Sequence, residues 1–221
     1  MYAFNYLLLI DLDEFVVPRH NDTIPDMLRH LDQQKGHVLT SGQRPGGPGG
    51  PGGGGGAASG WRQHRLGGGP KVTSSYSFQN AFFYLQFPDD LGFFADGGLG
   101  FKPLPLRSLT KTRRKSKLNP QKQRSKYVCV PRRVREAGNH FIWEFVDGYN
   151  LNVPPSAGLL HHYRVCEFGG DDCVRAENRS DRTALRYGEE LLASVWAVLE
   201  RLREKCGLER FFQEEESGVK E

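Results

Sequence analysis

The chain has 221 residues, enough for one large domain or two small ones, and its composition is that of a globular protein apart from an excess of glycine, at 27 residues. Thirty lysines and arginines against 26 aspartates and glutamates leave a net charge of +4, so the total implies no acidic partner and the distribution along the chain matters more. No apolar run approaches the length of a transmembrane helix, and the residues after Met1 lack the basic leader and small-residue cleavage site of a signal peptide.

The first informative stretch runs from Tyr6 to Pro18. Apolar residues lead into Asp11-Leu12-Asp13-Glu14 and resume with Phe15-Val16-Val17, a pattern that suits a fully buried strand. Open α/β sheets bind ligands at the carboxyl ends of such strands. Side chains alternate along an extended segment, so Asp11 and Asp13 are expected to point the same way and Leu12 into the protein. Two parallel carboxylates suit a hard divalent cation whose other ligands are phosphate oxygens and water. The plain alternative is a strand followed by an acidic turn. A chain opening directly on a core strand also reads as truncated at its amino end.

Ile24, Met27, Leu28 and Leu31 recur at helical spacing and predict a helix from Thr23 to about Gln34, with Thr23 as N-cap, Pro25 in the first turn and Gly36 closing it. From Ser41 to Pro70 glycine and proline dominate; such a segment buries too little apolar surface to offset its ordering entropy and reads as a disordered insertion without chemistry. The aromatic run Tyr76 to Phe87 reads as a strand, bulged near Asn80, and Pro103 and Pro105 make the following stretch loop or edge.

Lys111 to Arg135 holds eleven lysines and arginines and no acid. Most of it is expected to be solvated surface, with a share left for phosphates near a metal. Lys126 to Val130 is a short strand, and Gly158 to Val165 is another, with His161, His162, Tyr163 and Arg164 clustered in it. Ser180 to Cys206 is the clearest helix, capped by Ser180, stopped by Gly207 and carrying a core stripe that includes Leu192, Val195 and Leu199. The tail past Phe212 is acidic. The four cysteines lack zinc-site spacing, and a Cys166–Cys173 bridge would close a short loop. Sequons at Asn21 and Asn178 add mild support for a secretory compartment.

Asp11-Leu12-Asp13-Glu14-Phe15-Val16-Val17-Pro18, then Tyr76, Phe78, Asn80, Phe82 and Phe83, then Lys126-Tyr127-Val128 with Pro131, Gly138 with His140, and His162-Tyr163-Arg164 follow the order seen in family 92 glycosyltransferases. The chain resembles that family over nearly its whole length, apart from the insertion and the tail. The resemblance implies an α/β fold, the carboxyl-terminal portion of a GT-A domain in which a mixed sheet is flanked by helices. Residues 1–40 would be the metal-binding strand and following helix, 41–70 the insertion, 71–212 the acceptor side with the carboxyl-terminal helix, and 213–221 the tail. It further implies a Golgi membrane enzyme with a lumenal catalytic domain, inverting transfer from UDP-galactose or a related UDP-hexose to a glycan acceptor, and an anchor and nucleotide-binding half upstream of this chain.

On that resemblance Asp13 is the direct ligand of Mn²⁺ or Mg²⁺, Asp11 touches the ribose or a metal-bound water, and His162 completes the metal site. Arg164 and Lys126 face the leaving diphosphate. Inversion needs a general base for the acceptor hydroxyl; Glu144 is the choice and Asp147 and Asp90 are its rivals, with spacing not deciding among them. His161 and Tyr163 point away from His162 and are packing residues. Three other classes compete. A haloacid-dehalogenase-like phosphatase also opens on Asp-x-Asp but continues with glycine and threonine rather than Glu14-Phe15. A basic nucleic-acid surface would use Tyr127 for stacking. An inactive fragment of such a transferase is the third; the family reading itself implies no nucleic-acid partner.

Overall fold

The computed structural model describes residues 4–40, 72–95, 106–167 and 172–207. The expected insertion over residues 41–70, the Pro103–Pro105 stretch and the acidic tail lie outside the described residues.

The strands are β1 (Leu7–Leu9), β2 (Glu14–Pro18), β3 (Thr73–Phe78), β4 (Asn80–Tyr84), β5 (Arg113–Lys115), β6 (Lys126–Cys129), β7 (Val134–Ala137), β8 (Ile142–Phe145), β9 (Tyr149–Asn152), β10 (Gly158–Arg164) and β11 (Asn178–Ser180). Two longer helices join them, α1 (Ile24–Thr40) and α2 (Gly188–Leu202). A four-stranded sheet has the order β1-β6-β3-β9, parallel between β3 and β9 and antiparallel elsewhere. A three-stranded sheet has the order β2-β10-β4, with β10 antiparallel to β2 and parallel to β4. Two-stranded pairs β11-β5 and β7-β8 complete a mixed α/β architecture with helices flanking mixed sheets.

Helix α1 joins the two larger sheets. Its Met27, Leu28 and Leu31 are buried with Val16 and Leu160 of one sheet and Tyr76, Phe78 and Val128 of the other. Each such side chain contributes roughly 1.5–3 kcal/mol on burial, so this seam accounts for much of the hold between the sheets. The helix starts where its cap dictates: Thr23 Oγ1 accepts the Asp26 amide at 3.2 Å and donates to the Asp26 carboxylate at 2.6 Å.

Several expectations need correction. Tyr6 to Val17 is not one strand: β1 pairs with β6, β2 pairs with β10, and the two belong to different sheets. Between them the Glu14 amide donates to the Asp11 carbonyl at 3.2 Å, and Glu14 Oε2 accepts the Asp11 amide at 3.0 Å. This closes the chain into a turn with Leu12 at its tip, 103% exposed instead of pointing inward. The aromatic run breaks at Gln79, where the chain leaves one sheet for the other. Helix α1 runs through Gly36 to Thr40, since a helical glycine costs only about 1 kcal/mol relative to alanine. Helix α2 begins at Gly188, because Ser180 is paired into β11 and residues 183–187 form a 3₁₀ turn. Along its stripe Leu192 is buried, whereas Leu191, Val195 and Leu199 are half-buried, so that stripe is only partly core.

Most lysines and arginines of the basic run are exposed or half-buried, as expected, and three are not. Lys111, Arg114 and Lys126 are buried, and Lys111 Nζ donates to the Phe87 carbonyl at 2.7 Å beside the Asp89 carboxylate at 3.0 Å. Tyr127 is fully buried and its hydroxyl donates to the Gly138 carbonyl at 2.6 Å, which removes it as a base-stacking residue. Cys166 and Cys173 are disulfide-bonded as expected.

Candidate functional site

The centre strand β10 fixes the site. Its register sets His162 opposite Glu14 of β2 and Phe82 of β4, so these three side chains form one row across the sheet. Alternation sends His161 and Tyr163 to the other face, where they are buried and Tyr163 packs with Phe83, Ala81 and Leu159. Their expected packing role is what the structure shows.

His162 is held at both ring nitrogens. Nε2 lies 3.2 Å from Asp13 Oδ2, Nδ1 lies 3.2 Å from Glu14 Oε1, and the Asn80 side-chain nitrogen lies 3.0 Å from Nδ1. Asn119 donates to Asn80 Oδ1 at 3.0 Å, which orients the Asn80 amide with its nitrogen toward the ring. Asn80 can donate to Nδ1 only in the tautomer that leaves this nitrogen bare; in the other tautomer Nδ1–H is donated to Glu14, the Asn80 nitrogen is a neighbour and not a donor, and the Nε2 lone pair faces the space beside Asp13. A carboxylate behind one imidazole nitrogen is the usual backing of a histidine whose other nitrogen binds a metal.

Glu14 is 2% exposed, as is Lys126, whose Nζ lies 3.7 Å from Glu14 Oε2. The same ammonium meets Asp11 Oδ2 at 3.2 Å and donates to Asn139 Oδ1 at 2.8 Å. Burial pushes the Glu14 carboxyl up, but the hydrogen bonds from His162 and the Asp11 amide and the charge of Lys126 outweigh it. Glu14 therefore ionises below the ordinary glutamate range. Lys126 thus sits under the turn as the counter-ion of Glu14 and Asp11.

Arg164 follows two residues after His162 on the same face. Its guanidinium lies 5.3 Å from the Phe82 ring centroid and is ion-paired with Glu167. Arg124, held at a positive φ of 57°, lies 5.6 Å from the same ring. Two cations therefore flank Phe82, and Phe82 packs edge-on to His162 with centroids 5.3 Å apart.

The three candidate bases lie elsewhere in the fold. Glu144, on β8, pairs across the hairpin with Arg135 at 2.5 Å and keeps 48% of its side chain exposed. Asp147 faces Arg133 at 3.7 Å. Asp90 accepts from Thr112 at 2.9 Å and from the Gly92 amide at 3.1 Å, and meets Arg182 at 3.1 Å.

Among the described residues no three histidine, cysteine, aspartate or glutamate side chains form a ready metal cluster. Asp11 is turned to Lys126, while Asp13 and His162 stand together. Their 3.2 Å gap is close to the roughly 3 Å that separates neighbouring ligands on an ion with bonds of about 2.1 Å. The pair fits an ion that takes two protein ligands and completes its shell with phosphate oxygens and water. Sequence reasoning gave no site role to Glu14, Arg124, Asn139 or Asn80: Glu14 and Asn80 entered only as part of the family resemblance, and Asn80 also as the place of an expected bulge. Glu14 was findable, because it stands two residues before the core residue Val16 and therefore faces inward with it.

The chain matches glycosyltransferase family 92 over residues 68–194, more than half its length. That span contains Asn80, Phe82, Arg124, Lys126, His162 and Arg164, and the Asp11–Glu14 turn that precedes it is bonded into the sheet through His162. No curated protein matches the chain. With residues 68–194 carrying the family pattern and the site built on strands within it, the chain belongs to glycosyltransferase family 92.

Proposed function

We propose that this chain carries the metal and sugar-nucleotide site of an inverting glycosyltransferase that moves a hexose, galactose first, from a UDP-sugar to a glycan acceptor of glycoproteins. The observation that carries the proposal is the Asp13–His162 pair with Glu14 behind the imidazole, in a chain of this family. A Mn²⁺ or Mg²⁺ ion bound at that pair would supply Lewis acidity toward the diphosphate of the donor. Asp13 and His162 hold it, and Glu14 fixes the ring through Nδ1. Asp11, on the same turn, faces the ribose or a metal-bound water, and Lys126 keeps that turn in place from below.

Arg164 is the cation for the leaving diphosphate, joined by Arg124 against the same Phe82 ring. Lys126, first assigned to the diphosphate from sequence, acts on it through Asp11 and Glu14. Glu144 is proposed as the base that takes the acceptor proton. It is more open than Asp90, which is engaged by Thr112, Gly92 and Arg182, while Asp147, as exposed as Glu144, stays its rival. The Cys166–Cys173 disulfide and the two sequons fit work in the Golgi lumen. No helix among the described residues is long and apolar enough to cross a membrane.

The test is turnover of UDP-galactose by this chain in Mn²⁺, with and without chelator. Turnover should require the metal, and Asp13→Asn should lower it by about 100-fold or more. Turnover that persists in chelator, or in the variant, would sink the proposal.

A further inference from the structure

On the face of the β2-β10-β4 sheet away from His162 there is an open cavity, of about 480 Å³, bounded by Leu159 of β10 and by Arg19, Arg114, Arg179, Asp181 and Arg182. Its charge is not balanced. Asp181, a buried carboxylate, receives both Arg19 and Arg114, the latter at 2.9 Å, so two guanidiniums share one acid. Burial pushes the Asp181 carboxyl up, but the hydrogen bonds from Thr183, Arg114 and Arg19 outweigh it and hold it well below the usual carboxylate range, so it stays ionised. Arg182 is turned to Asp90 at 3.1 Å. Arg179 lines the cavity with no carboxylate partner among the described residues.

The surplus is therefore positive: one charge left over from the Arg19–Asp181–Arg114 cluster and one from Arg179. Ser156 and Ser180 add hydroxyl donors to the same wall. Arg114 is fixed more firmly than a surface arginine, since its Nη1 also donates to the Lys115 carbonyl at 2.9 Å and the Ser116 carbonyl at 3.3 Å. A rigid guanidinium pair with open donors beside it is suited to a tetrahedral oxyanion. The volume lies in the range of small-molecule sites and exceeds what a bare ion fills, which points to an oxyanion carried on a sugar-sized body.

We propose that this cavity is an oxyanion-binding site for a sulfate or phosphate monoester of a sugar, separate from the Asp13–His162 site on the opposite face. The two esters share the chemistry that recognises them, and the experiment separates them. The full chain is titrated calorimetrically at low salt with galactose 6-sulfate, galactose 6-phosphate and galactose. Saturable binding of one or both esters, with none of galactose, is expected, and the tighter ester identifies the source. Arg179→Ala should weaken the better ester by about tenfold or more while leaving the thermal midpoint of the free protein unchanged. Asp13→Asn should leave ester binding unaltered. Absence of saturable binding by either ester, undiminished ester binding in Arg179→Ala, or loss of binding in Asp13→Asn overturns the proposal. Arg19 and Arg114 are unsuitable targets, because removing either leaves buried charge uncompensated around Asp181.

Discussion

His161 and His162 are adjacent in β10, and the sheet's alternation gives them opposite environments. His162 lies among Asp13, Glu14 and Asn80. His161 is fully buried, stacked on Phe83 with centroids 4.3 Å apart, and its Nδ1 lies 3.3 Å from the Tyr163 hydroxyl. That hydroxyl donates its own hydrogen to the Ser108 carbonyl at 3.1 Å, so the shared proton with His161 belongs to Nδ1. Nε2 is then the bare nitrogen, buried without a hydrogen-bond partner. Burial pushes the His161 pKa down to about 3, with the nearby Asp181 charge opposing. The unfolded chain protonates this histidine near its ordinary value while the folded chain does not, so stability falls as pH drops from about 6.5 toward 3. The expected loss through this residue is about 2 kcal/mol at pH 5 relative to pH 7. Urea unfolding should show the loss in the native chain and a flatter pH profile between 7 and 4 in His161→Phe, which keeps the ring stacked on Phe83. Parallel profiles for the two proteins would contradict the buried neutral imidazole.

At the scale of elements, the glycine between β8 and β9 shows how tightly the strands are joined. Gly148 has a φ of +79°, and a Cβ there would lie 2.0 Å from Ser74 Oγ and 2.4 Å from the Val72 carbonyl oxygen. Both neighbours are committed: Ser74 Oγ donates to the Asp147 carbonyl at 2.8 Å, and the Val72 carbonyl accepts the Tyr149 amide at 3.2 Å as β9 enters the sheet. Gly148→Ala should therefore cost about 2–4 kcal/mol, read as a lower midpoint in urea, and a variant within 0.5 kcal/mol or so of the native chain would show that the turn adapts.

The sequence made β10, β6 and α1 legible, because period-two and helical patterns report which face a strand or helix buries. It hid the change of sheet at Gln79 and at the Asp11–Glu14 turn. An apolar run reads the same whether one strand continues or two strands meet at a bend, and the bend at Asp11 depends on a buried glutamate that reaches back to a backbone amide. The pairing of Asp13 with His162 was legible in residue type. Glu14 behind the imidazole was not, since it follows from a register set by residues almost 150 positions apart.

Across the whole molecule, α1 binds the two sheets into one body while the two faces of β2-β10-β4 carry different chemistry. Acid and imidazole gather on one side, where Asp13, Glu14 and His162 meet, and guanidinium surplus gathers on the other around Asp181. The family assignment and the geometry converge on the first face, and its central claim is that Asp13 and His162 together hold a divalent ion. Electron paramagnetic resonance of Mn²⁺ added to the full chain in the presence of UDP measures this without requiring catalysis. The native chain should bind Mn²⁺ with UDP present, and Asp13→Asn and His162→Ala should each weaken binding by about tenfold or more. Mn²⁺ binding that is unchanged in both variants would contradict the account.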